Sequence, residues 1–175
     1  MDARPRFGLL LTMTEPPAHM EEEFNAWYDE EHLPERLGIP GFRSARRWVA
    51  ECAPGEGKYL ATYELDSAAV LASPAYLERL HQPTPWSKRC LGACVVFRRW
   101  ACEQQDPGAA DPLDQAQALL LALGDAPDRS SLSGTLQSRQ FLDPQGAPPW
   151  AALHELSSPL APAPAGLRLY RAYVR

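Results

Sequence analysis

The sequence predicts an α+β fold in which a complete first half is followed by a helix-poor second half. Two observations lead to this prediction. Strand and helix patterns follow one another in the order β-α-β-β-α-β up to about residue 103, and four strand patterns then recur in the same order. A chain of 175 residues, 45% of them hydrophobic, can bury the core that such a fold needs.

The first half begins with a buried strand and an amphipathic helix. The apolar segment 7–13 ends at a Glu-Pro-Pro sequence, which is typical of a strand bounded by a breaker. Met20, Phe24 and Trp27 then recur at helical spacing, after three glutamates in the first turn, where the helix dipole favours anions. We predict a helix from about residue 19 to 33 that ends at Pro34, because the residue before a proline avoids the α region.

The remaining elements of this half are a hairpin, a second helix and a closing strand. Segments 41–49 and 58–65 alternate apolar and polar residues around a Pro-Gly-Glu-Gly turn, which predicts two paired strands. Ser67 can cap a second helix, and Ser73-Pro74 can begin it afresh. Residues 91–102 predict the last strand, so residues 5–103 form a ferredoxin-like β-α-β-β-α-β half.

The second half is predicted to be a degenerate, helix-poor repeat over residues 115–175. Residues 104–114 have the composition of a linker. The segments that match the four earlier strands, in order, are 118–123, 134–141, 150–156 and 169–173. An internal repeat explains four matches in one order, and chance likeness between apolar strands is the alternative.

The predicted architecture is an α/β barrel of two facing antiparallel sheets within one chain. The connections 124–133 and 157–166 are too short or too rich in proline for the helices of the first half. The outer face of the second sheet would then lack a helical cover. We therefore expect a second copy of the chain on that face, and hence a homodimer.

Charge and composition exclude several classes of partner. A net charge of -5 argues against binding to nucleic acid, which requires a basic surface. No apolar run approaches the length of a membrane span, and residues 1–5 lack the apolar region of a signal peptide, so we expect a cytoplasmic protein with no membrane partner. Cys52, Cys90, Cys94 and Cys102 contain no C-x-x-C pair, so we expect free thiols and no metal.

One stretch of sequence resembles a known family. Residues 24–37, Phe-Asn-Ala-Trp-Tyr-Asp-Glu-Glu-His-Leu-Pro-Glu-Arg-Leu, are followed by Ile-Pro-Gly-Phe at 39–42. This pattern resembles the EthD-like family of the dimeric α/β barrel superfamily, and the resemblance covers residues 5–103. It implies two ferredoxin-like units packed sheet against sheet, usually from two chains. Relatives include cofactor-free monooxygenases, lactone isomerases, polyketide cyclases and haem-using enzymes, so the fold does not select a reaction.

His32 is the candidate catalytic residue. It lies at the carboxyl end of the predicted helix beside Glu30 and Glu31, and both the helix dipole and these carboxylates are expected to raise its pKa. A protonated histidine near neutral pH can serve as a general acid, with Tyr28 one turn earlier orienting the substrate. The alternative is that His32 caps the helix and Tyr28 fills the space between helix and sheet.

The candidate substrate-binding residues are mainly aromatic. We expect the barrel interior to be lined by Trp48, Tyr59, Tyr63 and Trp100, by Trp86 in the loop before the last strand, and by His154 from the second half. An aromatic wall with few polar groups suits an apolar ligand, although core packing is the common role of such side chains. Arg46 is a candidate clamp for an anionic group, or else a partner in a surface ion pair.

Two function classes follow from these residues. The first is a cofactor-free enzyme, of isomerase, cyclase, dehydratase or monooxygenase type, that acts on a small apolar oxygenated metabolite. The second is a non-catalytic protein that binds a small apolar or aromatic metabolite or serves as a scaffold. No cofactor is expected, although haem ligation by one of the four histidines stays open. The sequence lacks a glycine-rich phosphate loop, a G-x-S-x-G elbow and an H-E-x-x-H motif.

Overall fold

The computed structural model describes residues 5–159 and 162–175. The strands are β1 Gly8–Glu15, β2 Phe42–Val49, β3 Tyr59–Leu65, β4 Val96–Asp106, β5 Ala118–Gly124, β6 Thr135–Leu142, β7 Trp150–Leu156 and β8 Arg168–Ala172. The helices are α1 Glu21–Trp27, a π-helical turn Tyr28–His32, α2 Leu33–Leu37, α3 Pro74–His81 and α4 Pro85–Ala93, with 3₁₀ turns at Ala18–Met20 and Ala68–Ala72. Residues 1–4, part of the segment used to predict the absence of a signal peptide, and residues 160–161, part of a predicted helix-free connection, lie outside the described residues.

The eight strands form one closed antiparallel barrel in the order β1-β3-β2-β8-β5-β7-β6-β4. The predicted α+β class is therefore confirmed, and the strands form one eight-stranded antiparallel sheet. The prediction of two separate sheets is wrong in one respect, because β2 pairs with β8 and β4 pairs with β6, which joins the halves along both edges. Closure satisfies edge N–H and C=O groups that two separate sheets would leave unpaired.

The two halves have the same strand order. The first contributes β4-β1-β3-β2 to the barrel, and the second contributes β8-β5-β7-β6. The division of the chain at 104–114 stays a prediction. Within that segment β4 continues to Asp106, and the Gln104 side chain bonds both the N–H and the C=O of Ala110.

Two apolar cores lie on opposite faces of the first half's strands. The barrel interior receives buried side chains from all eight strands, among them Leu11, Trp48, Leu60, Trp100, Leu119, Phe141, Leu153 and Tyr170. The second core, which we call the seam, lies between the helices and the outer face of the first half, and contains Leu10, Phe24, Trp27, Tyr28, Tyr59, Tyr63 and Tyr76. Alternation along β1 places Leu9 and Leu11 in the interior and Leu10 in the seam.

The first helical region continues beyond the predicted end at Pro34. The π-helical turn Tyr28–His32 separates α1 from α2, and the N–H of Leu33 donates to the carbonyl of Tyr28, five residues back. Pro34 then falls in the first turn of α2, where a missing N–H costs little. The helix therefore extends to Leu37.

The second helical region is longer than predicted and contains a helix that the sequence analysis missed. Ser73 Oγ accepts a hydrogen bond from Tyr76 N at 3.3 Å, so the predicted cap is present. Thr84 similarly caps α4 by accepting from Ser87 N at 3.0 Å. Residues 91–93, predicted as strand, are helical, because the Thr-Pro pair at 84–85 is itself a helix start.

The outer face of the second half is covered by its own connections. Ala118, Leu120 and Leu156 are buried there. The partly buried side chains packed against them are Leu132, Ala163, Leu167 and Leu169. The single chain thus supplies a cover that we expected from a second copy, and the homodimer stays a prediction.

The four cysteines are free thiols in the structure. Burial raises the pKa of Cys90 and of Cys94 to about 11, so both thiols are protonated near neutral pH. Within the described ranges, no helix is both long enough and apolar enough to cross a membrane.

Candidate functional site

The predicted catalytic pair lies in the seam, on the π-helical turn. This turn begins at Tyr28 and ends at His32, and both residues are buried. Single π-helical turns inside α-helices are rare and frequently occur at functional sites. The turn therefore supports the choice of Tyr28 and His32 as candidate site residues.

His32 is enclosed by aromatic rings. Its ring centroid lies 4.4 Å from that of Trp27, 5.0 Å from that of Tyr28 and 6.3 Å from that of Tyr63. Its Nδ1 is buried and has no hydrogen-bond partner among the described residues. The ring can therefore offer one unused polar atom inside an otherwise apolar enclosure.

The predicted rise in the pKa of His32 is wrong. Burial, together with the positive charges of Arg36 and Arg47, lowers the pKa of His32 to about 3. The acidic neighbours do not offset this effect, since Glu30 accepts from Arg175 and Glu31 accepts from Thr84 and Ser87. His32 is neutral near pH 7, which disfavours the proton-donor role that the sequence analysis assigned to it.

Tyr28 and Tyr63 form a short chain of hydroxyl groups. Tyr63 donates to the Tyr28 hydroxyl at 3.2 Å, and the Tyr28 hydroxyl lies 3.3 Å from Thr12 Oγ1. Burial and the neighbouring Tyr28 raise the pKa of Tyr63 well above its usual value. These groups can orient a ligand oxygen in their neutral form.

Arg47 is a central residue of the site that the sequence analysis missed. Its guanidinium donates to Asp29 Oδ1 at 2.9 Å and to Asn25 Oδ1 at 2.5 Å. It also lies 4.4 Å from the ring centroid of Tyr28 and 4.1 Å from that of Tyr173. The available signal was the alternation of β2, which turns Arg47 toward the helices and Arg46 toward the interior.

The predicted interior aromatic wall divides between the two cores. Trp48 and Trp100 face the barrel interior, where Trp48 Nε1 donates to Thr62 Oγ1 at 3.1 Å and Trp100 Nε1 donates to the carbonyl of Pro148 at 3.0 Å. The placement of Tyr59 and Tyr63 in the interior is wrong: both face the seam. In β3 it is Leu60 that faces the interior. Because successive side chains of a strand point to opposite faces, Tyr59 and Tyr63 then face the seam.

Two further predicted interior residues also lie elsewhere. Trp86 is on α4, not in a loop, and its Nε1 donates to Glu23 Oε1 at 3.1 Å across the helices. His154 faces the outside of the second half, where Ser138 Oγ lies 2.8 Å from its Nδ1 and Asp128 Oδ2 lies 2.8 Å from its Nε2. Leu153, the residue before it, takes the interior position.

Arg46 points into the barrel, and its guanidinium is held by backbone carbonyls. Arg46 Nη1 donates to Leu113 O at 3.1 Å, and Nη2 donates to Ala116 O at 2.7 Å. Its planar group also lies 4.4 Å from the Trp48 ring centroid. Burial lowers the pKa of Arg46. The two hydrogen bonds fasten the segment between the halves to β2. The expectation of a surface ion pair is wrong for Arg46.

A buried ion cluster inside the barrel connects the two halves. Arg139 of β6 donates to both carboxylate oxygens of Glu64, at 2.9 and 3.0 Å, and to Glu155 Oε1 at 2.9 Å. All three side chains are at most 3% exposed. The sequence does not indicate this cluster, because Glu64 and Arg139 are far apart along the chain.

A cleft opens at the edge of the seam beside this site. We call it the seam cleft; it has a volume of about 310 Å³ and is lined by Asp29, Leu33, Ala45, Arg46, Arg47, Ala172, Tyr173 and Arg175. Asp29 Oδ2 is buried without a hydrogen-bond partner among the described residues, and Arg175 Nε is 3.9 Å away. The cleft therefore combines an aromatic wall with an unused carboxylate oxygen.

A second, larger cleft of about 830 Å³ lies between the start of the helical region and the β2–β3 hairpin. Two of its three acidic groups are already engaged. Glu15 accepts from the N–H groups of Gly55 and Gly57, and Glu21 accepts from Tyr59 and Lys58. This cleft offers apolar surface with few free polar contacts.

The histidines do not suit haem in their present positions. His154 has both nitrogens within hydrogen-bond distance of partners, and His32 is closed in by rings. His19 and His81 are exposed at helix ends. Across residues 5–159 and 162–175, no cluster of three or more His, Cys, Asp or Glu side chains could hold a metal ion.

Comparison with known proteins supports the fold. A solved structure described as a putative chlorite dismutase matches with a TM-score of 0.54 and 8% sequence identity, covering 97% of this chain and 95% of that chain. No family model matches, and no curated protein matches. At this level of identity the likeness concerns the fold alone, so the comparison shows that this chain has a ferredoxin-like α/β barrel fold.

Proposed function

We propose that this chain is an EthD-like barrel protein that binds a small apolar or aromatic metabolite in the seam cleft. The observation that carries the proposal is the buried, unpartnered Asp29 Oδ2 at a cleft of about 310 Å³. Small-molecule sites have volumes from about 300 Å³ and few, specific polar groups. A ligand hydroxyl that donates to Asp29 Oδ2 would remove the cost of leaving that oxygen unpaired.

The walls of the seam cleft favour a ring-shaped ligand. Tyr173 and the guanidinium of Arg47 stack at 4.1 Å and line the opening together. Their flat surfaces suit an aromatic or alicyclic ring. The expected ligand therefore has one apolar ring and one hydroxyl group.

The proposal extends to the origin and location of the chain. The equal strand order of the two halves supports an internal repeat in which, among the described residues, the helices lie in the first half. We place the protein in the cytoplasm on the composition of its sequence. The homodimer belongs to the same proposal and is tested by the mass of the chain in solution at micromolar concentration.

A cofactor-free enzyme that uses neutral His32 is the second candidate. The π-helical turn and the unpartnered Nδ1 favour it, since that nitrogen can accept a hydrogen bond from a substrate. A pKa of about 3 makes His32 a weak base, however, so binding is the better supported role.

The test is ligand-observed NMR with benzyl alcohol and toluene, which differ in the hydroxyl group. Benzyl alcohol should bind the wild-type chain more tightly than toluene. Asp29→Asn keeps an acceptor for Arg47 and replaces the free acceptor by a donor, so benzyl alcohol should then bind about tenfold more weakly, the effect of one hydrogen bond to a charged group.

Glu22→Gln is the matched control, because Glu22 is exposed on the same helix and does not line the seam cleft. It should leave the affinity for benzyl alcohol unchanged. Equal binding of the two compounds, or equal affinity in Asp29→Asn and wild type, would contradict the proposal.

A further inference from the structure

Three polar side chains form a hydrogen-bonded chain on the outer face of the second half. Ser138 on β6 and His154 on β7 are direct cross-strand neighbours. Ser138 Oγ lies 2.8 Å from His154 Nδ1, and His154 Nε2 lies 2.8 Å from Asp128 Oδ2 in the β5–β6 connection. The three groups thus stand in the sequence hydroxyl, imidazole, carboxylate.

The carboxylate determines which way the protons point. An ionised Asp128 can only accept a hydrogen bond, so Nε2 of a neutral His154 carries the proton. Nδ1 is then an acceptor, and the Ser138 hydroxyl donates to it. A hydroxyl that donates to an imidazole oriented by a carboxylate is the arrangement that activates a serine nucleophile, whichever ring nitrogen is used.

The acidic member is held in place by its own partners. Gln140 Oε1 accepts from the N–H of Asp128 at 3.2 Å, and Gln140 Nε2 donates to the carbonyl of Asp128 at 2.8 Å. Ser130 Oγ donates to Asp128 Oδ1 at 2.8 Å. The connection that replaces a helix is thereby anchored with its carboxylate against the histidine.

The three side chains differ in solvent exposure: the histidine is buried and the serine is exposed. His154 is only 1% exposed, and the Asp128 side chain is 21% exposed. Ser138 is exposed, as is Leu136 two residues earlier on the same face of β6. The base is thus shielded from water, while the hydroxyl and an apolar neighbour are accessible to a reagent.

We propose that Ser138 is an activated nucleophile that accepts the acyl group of short-chain carboxylic esters. Ser138 Oγ forms a bond to the ester carbonyl carbon, and its proton passes to His154 Nδ1. The bond from that carbon to the alcohol oxygen breaks, and His154 returns the proton to the leaving oxygen. Water then releases the acid from the acyl-serine by the same proton transfers.

The site is independent of the seam cleft, which lies on the helical side of the first half and next to β8. Activity at Ser138 therefore needs neither Asp29 nor His32. A failure of the ligand-binding test leaves this inference unaffected, and the converse also holds.

The experiment uses p-nitrophenyl acetate with the full-length chain. The wild type should release p-nitrophenol and carry one acetyl group on the peptide that contains Ser138, located by mass spectrometry. Ser138→Ala should abolish that acetylation, and His154→Gln should slow it by about 10²- to 10⁴-fold, the usual contribution of a general base.

Ser133→Ala is the matched control, because Ser133 is an exposed serine on the connection that carries Asp128. It should react like the wild type. Ser138→Cys should retain acylation, and since residue 138 is exposed, both Ser138 variants should keep the wild-type melting temperature. Acetylation elsewhere in the chain, or a rate unchanged in Ser138→Ala, would overturn the inference.

Discussion

The same sheet position carries a tyrosine in the first half and a histidine in the second. Tyr63 pairs with Leu10 and Ala45, and His154 pairs with Leu120 and Ser138 in the corresponding strands. Tyr63 lies under a helical cover and donates to Tyr28. His154 lies under an irregular connection and contacts Asp128.

The difference shows how the cover determines the chemistry of a sheet face. A helix satisfies its own backbone groups, so it can present apolar and aromatic side chains to the sheet. An irregular connection leaves backbone groups that need partners, which Gln140 supplies to Asp128. The irregular cover of the second half therefore goes with a polar network on its outer face.

The largest loss of stability is expected from a substitution in the barrel interior, to which both halves contribute. Arg139→Ala would leave Glu64 and Glu155 buried without a counter-charge, which typically costs about 3 to 5 kcal/mol of the free energy of unfolding. Urea unfolding measures this loss. Arg98→Ala, an exposed arginine on β4, is the control and should change stability by about 0.5 kcal/mol or less.

If the halves instead unfold independently, Arg139→Ala would split the transition into two steps and leave the stability of one half unchanged. That result would contradict the comparison of the two outer sheet faces, because the halves would then not form one cooperative barrel. A single transition with an earlier midpoint is the expected outcome.

A smaller effect is expected from the cover of the second half. Gln140→Leu removes two hydrogen bonds to Asp128, so we expect a loss of about 1 to 3 kcal/mol and faster amide exchange in the connection 125–134. Gln145→Leu, an exposed glutamine in the β6–β7 turn, should change neither quantity. Unchanged exchange in Gln140→Leu would show that the connection is held by its apolar contacts instead.

The smallest change in stability is expected from the protonation of His32, which lies under the helices of the first half. The pKa of His32 is about 3 in the folded chain and near 6.5 in the unfolded chain, so the unfolded state binds more protons between these values. Stability should therefore fall as the pH drops below about 6.5, and this group should account for about 1 kcal/mol between pH 7.5 and 5.5.

The variant His32→Gln should lose that part of the pH dependence, measured by urea unfolding at both pH values. His81→Gln is the control, because His81 is exposed on α3 and should leave the pH dependence as in the wild type. A steeper loss of stability on acidification in His32→Gln than in wild type would contradict the low pKa of His32.

Much of the barrel could be predicted from alternation and turn residues. The predicted strand at 150–156 is β7, and the predicted strand at 41–49 differs from β2 by one residue. The helical regions were less accurate, because Pro34 follows a π-helical turn and α4 begins at a separate Thr-Pro pair after the Ser-Pro pair that begins α3. A local sequence pattern predicts the end of a helix poorly when a π-helical turn shifts the hydrogen-bond register of the backbone.

The candidate site was predicted in part. His32 and Tyr28 lie close together as predicted, and Tyr63, predicted for the barrel interior, lies beside them. Arg47 and Asp29 were missed, although the alternation of β2 indicated the side of the sheet on which Arg47 lies, because their ion pair joins a strand to the helical region. The two partners of His154 were also missed, because they come from two other segments of the chain.

The sequence by itself determined the order of the elements, their caps and the alternation within each strand. These features depend on contacts between residues that are near one another in the chain. Only the tertiary structure decided which face of β3 meets the helices, which groups surround His32 and which carboxylate meets His154. Burial and long-range hydrogen bonds decide these properties, and both arise only when distant segments cover one another.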